Sequence, residues 1–210
     1  MKIRLGDLRR IIREALEVGG DLGAVVRTRG NSVTVTLYRP SVLRGVVKIA
    51  GNLPKVGSFN PVVKGLIDGD GVVGHLKVFA PKVDCGGAWE LGEIWGPGFG
   101  RRLVDMAFGL SPAHKVVIDR STVLDDGLEL WKRVTAGMAS EDLPSACTTR
   151  HTDPVLNRIY SSTGNLSVLN AAVAQHDVLM DELSGTFDVA PRQMEDDVMD
   201  AGYAKFGESW

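Results

Sequence analysis

Between Trp89 and Ala107 the chain reads Trp-Glu-Leu-Gly-Glu-Ile-Trp-Gly-Pro-Gly-Phe-Gly-Arg-Arg-Leu-Val-Asp-Met-Ala. This stretch constrains the fold more than any other. An apolar run over 88–95 predicts a strand, and three glycines at alternate positions (Gly96, Gly98, Gly100) predict a turn that can approach a ligand closely. Phe99, Leu103, Ala107 and Leu110 then recur at helical spacing, so a helix is expected over about 99–109. A helix starting directly after a glycine turn directs unpaired N–H groups and the positive end of its dipole at one point. Phosphate or pyrophosphate binds such a point. An ordinary tight turn uses the same glycines, so the loop needs its strand and helix as context before it counts as a site.

The flanking segments predict a mixed sheet. The segments 22–29 and 33–38 read as strands joined at Gly30-Asn31, with Val33, Val35 and Leu37 alternating with Thr34, Thr36 and Tyr38. A short strand is expected near Val46–Ile49. A hairpin of strands 62–67 and 72–79 is expected around Asp68-Gly-Asp-Gly71. Lys115–Asp119 reads as a buried strand, followed by a helix carrying Leu128, Trp131 and Val134. Helices are expected at about 166–183 and from Pro191 onward, with Met180, Met194 and Met199 as core residues. At the N-terminus, Leu5, Leu8, Ile12 and Leu16 mark one face of a basic amphipathic helix over 5–18, with Asp7 as its cap. The reading is an α/β (α+β) domain over 1–138, with a mixed, mostly antiparallel central sheet flanked by helices. Residues 139–210 form a helical C-terminal extension.

Composition limits the function classes. The 210 residues are 44% hydrophobic and carry a net charge of −2, which excludes a global basic field for nucleic acid. Two cysteines, Cys85 and Cys147, are too few for a disulfide framework, and a reducing compartment is the default. Cys147 and His151 have half-site spacing for a metal, but no second pair completes it, and no metal is expected. No run is long enough to span a membrane, and no signal-peptide core follows the basic start, so a soluble cytoplasmic protein is expected. Charge is polarised along the chain. Lys2, Arg4, Arg9, Arg10 and Arg13 oppose only Asp7 at the start, while nine acids lie in the last 34 residues. The basic helix is a candidate surface for a protein partner, or it packs on the sheet.

In this order, the central elements resemble the GNAT superfamily of acyl-CoA-dependent N-acetyltransferases over roughly residues 66–135. Val72-Val-Gly-His-Leu-Lys-Val-Phe79 and Glu90-Leu-Gly-Glu-Ile-Trp95 resemble its strand pair before the pyrophosphate loop. Gly98-Phe-Gly-Arg-Arg-Leu103 resembles the G-x-G-x-x-L end of that loop, and Leu128-Glu-Leu-Trp-Lys-Arg133 its later helix. The resemblance implies acetyl-CoA as cosubstrate, held by Ile94, Trp95, Gly96, Gly98, Phe99, Gly100, Arg101, Arg102 and Trp131. It implies transfer of the acetyl group to an amine on a small molecule or protein, with Glu90 or Glu93 as general base. The two glutamates are an odd number apart, so only one is expected to face a cleft. The cleft itself is expected between the strands at 72–79 and 115–119. The family's Arg or Gln before the loop falls on Trp95 and its proton-donating tyrosine on Trp131, whose indole is no practical acid. These departures leave a second reading open: a GNAT-like structural or interaction protein without catalysis, such as a phage or virion component. His75, mid-strand, faces either the acceptor amine or the core, and His176 is expected to be a packed, hydrogen-bonded residue.

Overall fold

In the computed structural model, the described residues are 21–50, 60–80, 85–118, 125–144, 147, 152–187 and 190–208. The expected helix over 5–18, its Asp7 cap, and His151 lie outside them. The elements are β1 (Gly23–Arg29), β2 (Ser32–Tyr38), α1 (Pro40–Ala50), α2 (Pro61–Asp68), β3 (Val72–Phe79), β4 (Trp89–Trp95), α3 (Gly100–Leu110), β5 (Lys115–Ile118), α4 (Asp125–Thr135), β6 (Ala139–Asp142), β7 (Arg158–Ser161), α5 (Ser167–Phe187) and α6 (Pro191–Glu208). A short 3₁₀ turn, Pro154–Asn157, precedes β7. The strands form one seven-stranded sheet in the order β1-β2-β3-β4-β5-β7-β6. Every pairing is antiparallel except β4 with β5, which α3 connects. The α/β class and the mixed, mostly antiparallel sheet are therefore as the sequence leads one to expect.

Three elements differ from expectation. Residues 40–50 are helical, because Val42, Leu43, Val46 and Val47 recur at helical period behind Pro40, and Leu43 and Val47 are the buried pair. Residues 61–68 are helical as well. The Asn60 side chain accepts from the amides of Val62 and Val63 at 3.0 and 3.2 Å, and Pro61 supplies the preset first turn. Asp68-Gly-Asp-Gly71 thus ends a helix rather than joining two strands. The segment from 139 is not all helical, since β6 and β7 extend the sheet on the far side of β5.

The strands alternate between two faces. Val35, Leu37, Leu76, Val78, Leu91, Val116 and Tyr160 meet α3, α4 and the start of α5 in one cluster. Val25, Tyr38 and Val72 meet α1, α2, the end of α5 and α6 in the second. Helix α5 contributes to both clusters and contacts β1, so it covers that edge of the sheet. Met180, Met194 and Met199 are buried as expected.

A third, small cluster contains Cys85, Ala88, Val117, Leu143, Cys147 and Ile159. Cys85 and Cys147 are joined in a disulfide with Cα atoms 5.0 Å apart, across 62 residues of sequence. This corrects the expectation of reduced cysteines and removes Cys147 as a metal ligand. Two cysteines make no framework, but one bond between distant segments removes much chain entropy from the unfolded state. Reduction, or replacement of both cysteines by serine, is expected to cost about 2–4 kcal/mol of unfolding free energy. Urea unfolding with and without reductant measures it, and equal midpoints would show that the bond contributes no stability.

Candidate functional site

The glycine loop is built as a turn followed directly by a helix. The Phe99 amide donates to the Gly96 carbonyl at 2.9 Å, closing a four-residue turn with Pro97 and Gly98 at its centre. Gly98 has φ +79°, the position a type II turn reserves for glycine after proline. A Cβ at Gly98 would meet nothing within 4 Å, so the loop tip is open. Gly96 and Gly100 serve close packing instead. A side chain at 96 would sit 2.8 Å from Leu103 and 3.1 Å from the Val73 carbonyl, and one at 100 would lie 3.0 Å from Leu130. Helix α3 has Phe99 at its N-cap and no side-chain capping bond. The N-cap side chain therefore leaves the first-turn amides and the positive end of the dipole uncapped at the loop mouth. Arg101 is exposed there, and the Arg102 guanidinium lies over the Phe99 ring, 5.5 Å from its centroid.

Strand β4 leads into this loop past an irregularity. Lys77 pairs with Glu93, but Val78 pairs with Leu91, so Gly92 is an extra residue in β4. A Cβ at Gly92 would lie 2.5 Å from the Phe79 ring, which explains glycine at the bulge. The bulge overturns the expectation from odd spacing. Glu90, Glu93 and Trp95 pair with Phe79, Lys77 and His75, so all three point to the α6 side of the sheet. Leu91 and Ile94 point to the α3 side. The cleft expectation is also corrected, because β4 lies between the strands at 72–79 and 115–119. Among the described residues β4 and β5 pair at three positions, ending at Leu91 with Ile118. Glu93, Ile94 and Trp95 run on toward the loop paired with β3 alone. The pairing of β4 with β5 ends at Ile118, the last described residue of β5.

A hydrogen-bonded polar group lies on the α6 side. Glu93 accepts from Lys77 Nζ at 2.8 Å through Oε1, and its Oε2 is 3.2 Å from His75 Nε2. His75 Nδ1 is 3.1 Å from Thr36 Oγ1. Burial works against ionising Glu93, but the bonds from His75 and Lys77 outweigh it and hold the carboxyl below its usual range. Lys77 is raised, chiefly through its bond to Glu93. Glu93 is thus a firmly ionised acceptor with a reduced proton affinity. His75 has no exposed surface and lies 4.9 Å from the Tyr203 ring of α6, centroid to centroid. Of its two readings, the structure supports the core one.

Trp131 is 1% exposed. It stacks near Phe108 (6.4 Å, 13°) and meets Tyr160 edge-on (5.4 Å, 89°), so it belongs to the core and not to the loop mouth. Among the described residues its Nε1–H is the one buried side-chain polar atom without a hydrogen-bond partner. The structure thus brings Gly96, Gly98, Phe99, Gly100, Arg101 and Arg102 together. Trp95 adjoins them and shares one face of β4 with Glu93 and with Glu90 at the far end of the strand, Ile94 lies on the other face, and Trp131 is set apart. Sequence reasoning missed Thr36 and Lys77; their signal was the polar half of the alternation in β2 and β3. The described residues contain no cluster of ligands able to hold a metal, and none of their helices is long and apolar enough to cross a membrane. Comparison with protein-family models, curated proteins and solved structures finds no match.

A second histidine network ties β2 to α5 and α6. Tyr38 Oη and His176 Nδ1 are 2.8 Å apart, and Glu195 Oε1 lies 3.8 Å from His176 Nε2. His176 is packed and hydrogen-bonded, as expected. Burial lowers its proton affinity below the ordinary 6.5, against the opposing pull of Glu195 and Asp177. The folded chain then binds fewer protons than the unfolded chain as pH falls below 6.5. Stability is expected to be unaffected by this group above that pH and to decline as pH drops through it. Unfolding free energies measured across this range should fall less steeply in His176→Gln. Identical slopes would remove His176 as the cause.

Proposed function

We propose that the chain binds an acyl-CoA at the glycine loop and transfers its acyl group to an amine. The observation that carries this reading is the loop itself. An open type II turn runs into a helix N-terminus whose N-cap residue makes no side-chain capping bond, at the end of a bulged strand. The amides of the first turn of α3 and the exposed Arg101 suit a pyrophosphate.

When bound, acyl-CoA supplies the activated acyl carbon and a thiolate leaving group. The residues of the chain bind, orient and move the proton. The acceptor ammonium must lose a proton before it attacks, and the α6-side face of β4 places both Glu90 and Glu93 within one neighbourhood for that task. Glu93 is already engaged by Lys77 and His75, which orients it but weakens it as a base. Trp131 supplies no acid to the leaving group, which must take its proton from another donor or depart as the thiolate.

A second reading draws on a different observation. Helix α6 covers Thr34, Thr36 and His75, so part of the face an acceptor would use is filled. A chain of this architecture that binds partners instead of catalysing would look the same at that face, and a phage or virion component is one setting for it.

Calorimetric titration with acetyl-CoA separates the readings. Wild-type protein should bind, and Gly98→Trp, which strains the φ +79° turn and places a large ring at the open loop tip, should bind at least about tenfold more weakly, with circular dichroism confirming that the variant is folded. A folded wild-type protein that does not bind acetyl-CoA overturns the acyltransferase reading and favours the interaction protein.

A further inference from the structure

Among the described strands, β6 is the one that places no side chain in an apolar cluster. Ala139, Glu141 and Asp142 are exposed and Ser140 is half-buried. A strand of four residues at the end of the sheet, paired with β7, gains little to offset the entropy of ordering it. The side chains that reach across to it are surface contacts. Arg158 donates to Ser140 Oγ at 2.8 Å and lies 3.7 Å from Asp142, and Lys115 lies 2.6 Å from Glu141. None of these residues is buried, and exposed ion pairs contribute little. What fixes β6 is therefore its two ends. Met138, ahead of it, packs against the first large cluster. Leu143, behind it, donates its amide to the Asn157 carbonyl at 3.0 Å and enters the small cluster with Cys147.

The disulfide ties that second end to the body of the sheet. Cys85 opens a four-residue turn into β4, closed by the Ala88 amide on the Cys85 carbonyl at 3.1 Å, with Gly86 and Gly87 at φ +65° and +77°. Cys147 closes a turn of its own, its amide donating to the Pro144 carbonyl at 2.9 Å. In the small cluster, Cys85, Ala88, Val117 and Ile159 come from the first turn, β5 and β7. Leu143 and Cys147 are its members from the β6–β7 connection. Without the bond, the described part of that connection holds to the cluster by one leucine and one thiol. β7 has a firmer seat, since Leu156 and Tyr160 lie in the first large cluster and Tyr160 meets Trp131 edge-on.

We propose that the Cys85–Cys147 bond is a redox latch on this edge of the sheet, and that a dithiol reductant releases β6 from β7 while both large clusters keep their packing. Opening takes two exchanges. One thiolate of the reductant attacks a cysteine sulfur and displaces the other cysteine, and its second thiolate then displaces the first cysteine. The products are two protein thiols and a cyclic disulfide of the reductant, with two electrons and two protons passed to the protein. A disulfide oxidant such as oxidised glutathione reverses the sequence. Cys85 and Cys147 are 1% and 6% exposed, so the exchange is slow until the connection loosens. Release uncovers the outer edge of Arg158–Ser161, and the order of β6 follows the redox state of the surroundings. The latch sits before the Trp89 end of β4, opposite the end that leads into the glycine loop, and works the same whatever binds there.

The test is NMR relaxation of the backbone amides in the full chain, oxidised and then reduced with dithiothreitol, with a mass gain of two hydrogens confirming reduction. Order parameters over 139–143 should fall from about 0.85 to below about 0.6, while those of β2, β3 and α3 stay as they were. Cys85→Ala/Cys147→Ala should match the reduced wild type, and oxidised glutathione should restore the rigid strand in the wild type alone. Order parameters over 139–143 that do not change on reduction would show that the bond does not hold β6, and overturn the latch. Loss of order through β2 and β3 would overturn it as well, since the bond would then be a staple of the whole fold. A strand that stays mobile after reoxidation would do the same, because the device must close as well as open.

Discussion

Gly92 has no room for a side chain, and the direction of every residue after it in β4 depends on that. Phe79 of β3 presses its ring to within 2.5 Å of where a Cβ would be, so the extra residue is accommodated as a bulge. Without the bulge, Leu91 and Glu93 would share a face. With it, Leu91 and Ile94 enter the cluster under α3, and Glu90, Glu93 and Trp95 turn together toward α6. Bulges bend the strand that carries them. Beyond Leu91, opposite the last described residue of β5, the bulged strand runs on to the glycine turn. One glycine thus couples the packing of the core, the orientation of two carboxylates and the mouth of the loop.

The loop depends in turn on Leu103. Its side chain fills the space beside Gly96 and Gly74, so α3 sits close to β3 and β4, and its first turn is aimed along the end of β4. Phe99 packs against the same cluster and carries the Arg102 guanidinium on its ring. This is a division of labour among three glycines: Gly96 and Gly100 buy close packing, and only Gly98, with φ +79° and open space around it, faces outward. Arg101 has Asp105 one turn along the same helix as its electrostatic partner, and Arg102 lies over the Phe99 ring, so both are accommodated at the helix start.

The sheet was readable because its strands alternate cleanly and its turns carry the right residues. Gly30, with φ +59°, closes the β1–β2 hairpin at the predicted place. The helices α1 and α2 were not, since their β-branched valines carry strand propensity, and the signals that decide, Pro40 and the Asn60-Pro61 cap, are single residues at the helix start. The strands β6 and β7 are four residues each, too short to show a period. At the site, the glycine loop was legible because glycine spacing is local. The common face of Glu90 and Glu93 was not, since a bulge is fixed by the partner strand and reverses a parity argument made on one strand alone. The disulfide escaped notice for a similar reason. Nothing near Cys85 or Cys147 in sequence reveals that the β3–β4 connection meets the β6–β7 connection over Val117 and Ile159.

Helix α6 lies on the polar half of β2 and β3, and a sheet face under a helix is ordinarily apolar. Thr34, Thr36 and His75 are instead buried there with their polar atoms paired to one another, to Tyr203, to Met199 and to Glu93. Polar pairs at the margin fasten the helix. Arg27 bonds Asp196, and Asn60 Nδ2 donates to Asp197 at 2.6 Å. Apolar substitution at Thr36 and His75 would give the same helix a simpler seat with no desolvation to offset. Stability alone therefore does not account for these side chains. Their orientation does, because the buried network ends at Glu93, on the part of β4 that leads into the loop, and fixes that carboxylate through the bond from His75.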